Sequence, residues 1–96
     1  MEIIWTRRAD AQFEKAIDYI QQDSPAGAQK FFLIIVDLIE KAAQQPQRFP
    51  VDKYKKNNDD SWRAFEKYHY RISYRIMETA IHIVRIRHTS QSPLHY

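Results

Sequence analysis

This chain has 96 residues, a formal net charge of +3 and no cysteine, so disulfides and thiolate metal sites are excluded. Its length fits one domain spanning residues 1–96, and its 44% hydrophobic and 14% aromatic content is typical of a globular chain. The first residues are too polar for a signal peptide and no apolar run approaches the roughly 20 residues of a membrane span, so we expect a cytoplasmic protein that does not bind membranes.

A short strand and two amphipathic helices are predicted for the first half of the chain. Residues 2–5 are typical of a strand, and Thr6 suits the N-cap of a following helix. The apolar residues of that helix recur on one face, at Ala9, Phe13, Ala16, Ile17 and Ile20. Ser24 and Pro25 match the N-cap and first position of a second helix that runs to about Gln44. The two helices should form a hairpin with a break of three residues.

The second half is predicted to form three strands after a polar loop. Pro46 and Pro50 end the helical region, and residues 52–60 form a charged loop. The strand-like runs are about 62–67, 70–77 and 81–88. The order is therefore β-α-α-β-β-β, an α+β fold. We expect the helical hairpin to pack on one face of a small, mainly antiparallel sheet and to leave the other face open.

Strand alternation predicts which side chains lie on the open face. In the 70–77 run, Arg71 and Arg75 alternate with an apolar set that belongs against the helices, Tyr70, Ile72, Tyr74 and Ile76. Arg71 and Arg75 should therefore lie on the open face.

The last strand-like run is less decisive. This strand can present either of two sets of apolar side chains to the helices. The first set is Val84 and Ile86, and the second is Ile81 and Ile83. The second direction would bury Arg85 and Arg87, which is costly without partners. We therefore expect the first. The 62–67 run stays ambiguous, because Arg63, Phe65 and Lys67 share one face.

Charge is unevenly distributed along the chain. Residues 1–60 carry nine Lys or Arg against ten Asp or Glu, whereas residues 61–96 carry six against two. A sheet with this much fixed positive charge predicts an anionic partner. All four histidines lie in the second part, but His82 and His88 would be about 20 Å apart on an extended strand. We therefore expect no metal and no other cofactor.

Two stretches resemble a known family. The element order, the Arg-x-Phe-x4-Tyr-Arg-Ile-x-Tyr-Arg stretch (63–75) and the Ile-x-Ile-x-Arg-Ile-x-His ending (81–88) resemble the RelE/ParE superfamily, the toxins of bacterial type II toxin–antitoxin systems. The resemblance covers essentially the whole chain. The long helical hairpin and the segment from Arg85 to Ser90 are more similar to the ParE-like branch.

The resemblance implies a toxin of the plasmid-stabilisation type that inhibits growth until an antitoxin neutralises it. ParE-like members poison DNA gyrase, and this is the first expectation here. The alternative is a RelE-like enzyme, a metal-independent endoribonuclease that cuts messenger RNA on the ribosome. A further alternative is an inactive relative that acts as an RNA- or protein-binding module.

The resemblance also implies candidate site residues for each alternative. As a nuclease, the chain would use Arg71 and Arg85 as phosphate clamps, Arg63 as a support, and His88 or Tyr96 in proton transfer. Phe65 and Ser90 depart from the nuclease pattern, since they stand where a lysine and an arginine are expected. The candidates for binding the target are Arg71, Arg75 and Arg87.

The resemblance implies a partner as well. Antitoxins of this superfamily typically wrap the toxin with an acidic, partly disordered C-terminal segment, so we expect a hetero-oligomer with a cognate antitoxin. We expect its contacts on the outer surface of the helical hairpin and along an edge of the sheet. The target would be DNA gyrase or the ribosome and its message.

Overall fold

A computed structural model describes residues 1–96 as two helices on a four-stranded sheet. The elements are β1 (Glu2–Trp5), α1 (Arg7–Asp23), α2 (Pro25–Gln44), β2 (Trp62–Lys67), β3 (Tyr70–Ile76) and β4 (Ala80–His88). The sheet order is β1-β4-β3-β2, with β1 parallel to β4 and the other neighbours antiparallel. The predicted α+β fold and element order are confirmed. Neither helix has the length and apolar character needed to cross a membrane.

The helical hairpin is tighter than the sequence predicts. Thr6 caps α1, since its hydroxyl accepts from the Ala9 N–H at 3.1 Å. Ser24 caps α2 by accepting from the Gly27 N–H at 2.9 Å, and its own N–H donates to Ile20 O of α1. Because Ser24 serves both helices, it alone separates them. The expected three-residue break is therefore wrong.

The core lies between the helical hairpin and one face of the sheet. Its largest fully buried apolar side chains are Ile35, Ile39, Ile72, Tyr74, Ile81 and Ile83. The Tyr74 hydroxyl donates to Pro46 O at 2.7 Å, and burial raises the pKa of this tyrosine to about 12. Phe65 of β2 is also buried, with its ring centroid 4.6 Å from that of Phe49. We call this the core face of the sheet.

A β-bulge corrects the predicted direction of β4. Ser73 pairs with Arg85 but the next residue of β3, Tyr74, pairs with Ile83, which leaves Val84 unpaired. One extra residue reverses the alternation of a strand. Ile81 and Ile83 before the bulge and Ile86 after it therefore all join the core, while Arg85 and Arg87 stay on the opposite face. The expectation that Val84 points inward in place of Ile81 and Ile83 is wrong, whereas Ile86 points inward as expected and Arg85 and Arg87 lie opposite.

The opposite face of the sheet, which we call the outer face, is not open. Two irregular segments lie across it, residues 52–56 of the loop after α2 and the tail of residues 89–96. The Lys56 N–H donates to Tyr96 O at 2.7 Å, and the Tyr96 N–H donates to Tyr54 O at 3.0 Å. Under this cover Ser73 is 1% exposed and Arg85 7% exposed. The expectation that this face is open is therefore wrong, because the loop and the tail cover it.

Candidate functional site

Four side chains from separate parts of the chain meet on the outer face. Arg71 of β3 and Arg85 of β4 project from the sheet, because alternation directs them away from the core. Asp52 reaches them from the loop, just after Val51 forms an isolated bridge with β2. Tyr96 reaches them from the end of the tail. We call these four residues the Asp52 cluster.

Asp52 is the buried centre of this cluster. Its carboxylate accepts hydrogen bonds from the Tyr96 hydroxyl at 2.6 Å, Arg71 Nη2 at 2.8 Å and the Tyr54 N–H at 3.0 Å. Burial alone would raise the pKa of Asp52, but these hydrogen bonds and the Arg71 charge outweigh it and hold the pKa below its usual value. The carboxylate is therefore ionised at neutral pH.

Both terminal nitrogens of Arg71 are committed to carboxylates. Nη2 binds Asp52, and Nη1 binds Glu66 of the neighbouring strand at 2.9 Å. The guanidinium carbon also lies 4.8 Å from the ring centroid of Tyr54. Burial opposes the charge of Arg71, but its two carboxylate partners outweigh burial and raise its pKa. The charge of Arg71 is compensated within the protein.

Arg85 and Tyr96 hold each other in place. The guanidinium carbon of Arg85 lies 4.1 Å from the Tyr96 ring centroid, and its Nη2 donates to Leu94 O at 2.8 Å. Burial lowers the pKa of Arg85, and burial together with the hydrogen bond to Asp52 raises the pKa of Tyr96. Tyr96 therefore keeps its proton at neutral pH and donates it to Asp52.

The remaining arginines of the outer face have no carboxylate partner. The Arg75 guanidinium lies 4.9 Å from the Trp62 ring centroid, and Arg87 donates to Ser92 O in the tail at 3.1 Å. Three buried polar atoms along β3, Arg71 Nε, Ser73 Oγ and Arg75 Nε, have no hydrogen-bond partner in the protein. These three donors are enclosed by the loop and the tail, and the charges of Arg75 and Arg87 form no ion pair within the protein.

The structure brings together three of the five residues named as nuclease candidates. Arg71, Arg85 and Tyr96 belong to the Asp52 cluster. Arg63 pairs with Tyr74 on the core side of β2 and donates to the main-chain oxygens of Asp60 and Phe49. It is therefore directed away from the cluster.

His88 is the other candidate outside the cluster. It pairs with the core-facing Tyr70, and the two ring centroids are 4.9 Å apart in an edge-on arrangement. Its Nδ1 accepts from the Ser90 N–H at 3.0 Å and faces the Ser90 hydroxyl at 2.7 Å. The His88 ring therefore lies on the other side of the sheet from Arg71 and Arg85.

Asp52 is the site residue that sequence reasoning missed. Its neighbours Lys53 and Lys55 make the segment look like a solvated loop, and no periodicity marks one aspartate as buried. Charge counting could not identify it either, because a count of acidic residues does not show which of them is buried. The sequence indicated a buried carboxylate only indirectly, since arginines on a covered face of a sheet require a carboxylate partner.

The chemistry open to the Asp52 cluster is limited by its internal pairing. Arg71 is paired with two carboxylates, those of Asp52 and Glu66. Arg85 donates to Leu94 O, and the phenol of Tyr96 donates to Asp52. No group of three or more His, Cys, Asp or Glu side chains is placed to hold a metal ion. The cluster ties the loop and the tail to the sheet.

Comparisons with known proteins agree with this fold. The family described as ParE toxin of type II toxin-antitoxin system, parDE, matches residues 3–93. The curated protein Toxin RelE2 of Caulobacter vibrioides is 30% identical over 90 residues, which cover 94% of this chain and 97% of that protein. A solved structure, described as the chromosomal ParDE TA system from P. aeruginosa, shares the fold with a TM-score of 0.69 at 23% identity and covers 92% of this chain and 95% of its own. This chain belongs to the ParE toxin family of type II toxin–antitoxin systems within the RelE/ParE superfamily.

Proposed function

We propose that this toxin stops growth by ParE-like poisoning of DNA gyrase and does not cut RNA. One observation carries the proposal: the side chains that RNA cleavage would need are either occupied inside the Asp52 cluster or directed away from it. The match of residues 3–93 to the ParE toxin family supports the same choice.

Cleavage through the ribose 2′-hydroxyl needs free positive charge beside the scissile phosphate. Arg71 offers none, because both of its terminal nitrogens bind carboxylates. A phosphate brought to this position would also compete for Arg71 with the buried Asp52 carboxylate, which is ionised at neutral pH. Repulsion between like charges in a partly buried site costs several kcal/mol. The local field therefore disfavours a phosphoryl group.

Proton transfer faces a similar obstacle. Tyr96 donates its proton to Asp52, and its raised pKa makes it a poor base at neutral pH. His88 carries an imidazole, a side chain that often serves in proton transfer, but its ring packs against Tyr70 on the other side of the sheet. No second group with a suitable proton affinity belongs to the cluster.

Binding to a protein target makes weaker demands on the outer face. It requires accessible charge and a complementary shape, and the half-buried Arg75 and Arg87 supply charge that forms no ion pair within the protein. Lys53 and Lys56 add exposed cations on the loop that covers the sheet. We assign gyrase contact to this surface, with Arg75 and Arg87 at its centre and Arg71 as a support.

An antitoxin completes the proposal. The toxin family implies such a partner, and we propose that it binds this chain through an acidic segment that becomes ordered on binding. The complex would be a hetero-oligomer in the cytoplasm, and its formation would release the growth block.

A second candidate function is RNA cleavage on the ribosome. The observation in its favour is that Arg71, Arg85 and Tyr96 do converge, with the Arg85 guanidinium 4.1 Å from the Tyr96 ring centroid. Under this alternative the ribosome would have to open the Asp52 cluster and free Arg71. The name of the relative in C. vibrioides, Toxin RelE2, points to the same branch.

Pulse-labelling after induction in bacteria separates the two candidates. We expect DNA synthesis to fall within minutes while protein synthesis continues. The Arg75→Glu, Arg87→Glu double variant should lose this effect, whereas Lys67→Glu, a charge reversal at the far end of β2, should keep it. An early fall in protein synthesis would contradict the proposal and support RNA cleavage. If neither synthesis fell, the chain would be an inactive relative.

A further inference from the structure

The tail of residues 89–96 is fixed to the sheet mainly through Tyr96. Residues 89–95 are all exposed, and Leu94 is 52% exposed although it is apolar. Only Tyr96 is half-buried. Because hydrophobic stabilisation scales with the apolar area that is buried, most of the tail contributes little to the stability of the fold. Detachment of the tail requires only the release of Tyr96 and of a few hydrogen bonds.

Tyr96 occupies a socket formed by the covering loop and by strands of the sheet. Its hydroxyl donates to Asp52, and the guanidinium carbon of Arg85 lies 4.1 Å from its ring centroid. The ring of Trp62 lies edge-on to it at 5.6 Å between centroids, and Lys55 Nζ donates to Tyr96 O at 3.1 Å. We call Asp52, Lys55, Trp62 and Arg85 the Tyr96 socket. The socket contacts both the side chain and the main chain of one residue, which is how a site recognises a peptide segment.

Two main-chain oxygens of the tail hold the arginines of β4. Arg87 Nη2 donates to Ser92 O at 3.1 Å, and Arg85 Nη2 donates to Leu94 O at 2.8 Å. Neither arginine forms a salt bridge within the protein. A carboxylate can accept two parallel hydrogen bonds from one guanidinium and adds the attraction of opposite charges, whereas each of these carbonyl oxygens accepts one bond. A partner that carries carboxylates would therefore replace the tail at both arginines.

A cavity of about 50 Å³ lies between the tail and the sheet. Its lining includes Arg71, Arg85 and Arg87 together with residues of the tail. The one carboxylate in the lining belongs to Glu66, which is already bonded to Arg71. Detachment of the tail would open this cavity and expose Arg85 and Arg87 without a carboxylate partner.

We propose that the tail is an internal competitor of the target: it occupies the surface formed by Arg87 and the Tyr96 socket, and it detaches when gyrase binds that surface. The inference rests on the proposed function and specifies which part of the outer face gyrase contacts. An acidic segment of gyrase would bring carboxylates to Arg85 and Arg87 in place of Leu94 O and Ser92 O. The attached tail therefore lowers the apparent affinity of the toxin for gyrase.

Detachment of the tail does not release the nuclease candidates as a set. Arg71 keeps its bonds to Asp52 and Glu66, neither of which belongs to the tail. Tyr96 moves away from Arg71 and Arg85 together with the tail. The open state therefore presents charge to a protein partner and assembles no site for RNA cleavage.

The first experiment fixes the tail in place. The rings of Tyr54 and His95 meet edge-on with centroids 5.5 Å apart, and the chain has no cysteine, so Tyr54→Cys, His95→Cys introduces the only two thiols. A short bismaleimide joins them, and the same variant capped with N-ethylmaleimide at both thiols is the matched control. In a reaction with DNA gyrase, plasmid and ATP, the cross-linked toxin should trap at least about tenfold less cleaved plasmid than the capped toxin. Equal trapping would contradict the inference.

The Tyr96→Ala variant tests the same competition in the opposite direction, and it decides the matter if the capped toxin is itself inactive. Emptying the socket should favour the detached tail and lower the toxin concentration that gives half-maximal trapping by at least about threefold. Gln91→Ala, at an exposed position of the tail, is the control and should leave that concentration unchanged. Urea denaturation checks that both variants are folded. An unchanged or higher concentration for folded Tyr96→Ala would overturn the inference, since Tyr96 would then not compete with gyrase.

Failure of this inference can be told apart from failure of the proposed function. If the wild-type toxin traps plasmid on gyrase but neither the cross-linked toxin nor Tyr96→Ala departs from its control, the role of the tail is wrong and the gyrase proposal stands. If the wild-type toxin traps no plasmid on gyrase, both fall.

Discussion

The two faces of the sheet are both buried, but by different means. The core face is covered by regular helices whose apolar residues recur at helical spacing, among them Phe31, Ile35 and Ile39. The outer face is covered by a loop and a tail that attach through Asp52 and Tyr96. Burial on the first face comes from many interchangeable apolar contacts. Burial on the outer face depends on hydrogen bonds and ion pairs between a few charged and polar side chains.

Because of this difference, one face of each strand contributes mainly to stability and the other face carries the candidate functional site. A change on the core face should lower stability wherever it falls, because apolar packing is spread over the whole cluster of buried residues. A change on the outer face should act locally, by freeing the loop and the tail from the sheet. The variants below are ordered by the size of the expected effect.

The largest effect is expected at Ile81 on the core face. Ile81→Ala removes a fully buried side chain and should lower the free energy of unfolding by about 3–4 kcal/mol. Val84→Ala, at the bulge, is the matched control and should cost less than about 1 kcal/mol. Urea denaturation measures both. Equal losses at the two positions would mean that the bulge is misplaced.

The next effect is expected at Asp52. Asp52→Asn removes a buried charge from Arg71 and should cost about 3 kcal/mol. In the wild type, the lowered pKa of Asp52 contributes stability that is fully present above its ordinary pKa of 3.8 and is lost as pH falls through the lower, folded-state pKa. Denaturation between pH 2 and pH 7 should therefore show a smaller loss of stability at acid pH in the variant than in the wild type. Asp60→Asn, at an exposed aspartate of the same loop, is the control. If Asp52→Asn lost as much stability at acid pH as the wild type does, the loss would come from other carboxylates.

A smaller effect is expected at Tyr96. Tyr96→Phe removes one donor to Asp52 but keeps the ring against Arg85, so it should cost about 1 kcal/mol. Combined with Asp52→Asn it should cost less than the sum of the two single changes, because the two residues share one hydrogen bond. If the two losses of stability were additive in the double variant, the hydrogen bond between Tyr96 and Asp52 would contribute nothing to stability. Growth inhibition by Tyr96→Phe should persist, since gyrase poisoning as proposed needs no proton from this hydroxyl.

The smallest effect is a gain in stability at the β2–β3 turn, which belongs to neither face. Tyr68 and His69 have positive φ angles of 52° and 66°, a conformation that Asn-Gly adopts more easily in two-residue hairpin turns. The Tyr68→Asn, His69→Gly variant should raise the free energy of unfolding by about 0.5–1 kcal/mol. Thermal denaturation measures it. A loss of stability would show that the two native side chains contribute more than their backbone strain costs.

Sequence reasoning succeeded where periodicity controls the structure. The caps at Thr6 and Ser24, the buried face of α1 and the apolar side of β3 follow from residue type and spacing, and the structure confirms them. The bulge at Val84 did not follow, because inserting one residue changes the phase of alternation without leaving a sequence signal.

The candidate site was only partly predictable. Arg71 and Arg85 were expected on one face, and they lie there together. Their pairing with Asp52 and Tyr96 joins residues up to 44 positions apart through a loop and a tail that lack periodicity. Long-range contacts of irregular segments depend on tertiary packing, so no local pattern could reveal them.

The most direct test of the account compares two purified reactions of the same toxin preparation. One contains DNA gyrase, plasmid and ATP, and the other contains ribosomes programmed with a messenger RNA. The Asp52 cluster, closed by internal hydrogen bonds, predicts cleaved plasmid trapped on gyrase and an intact message. A message cut on the ribosome, with plasmid untouched, would contradict the account and show that Arg71, Arg85 and Tyr96 are released for catalysis.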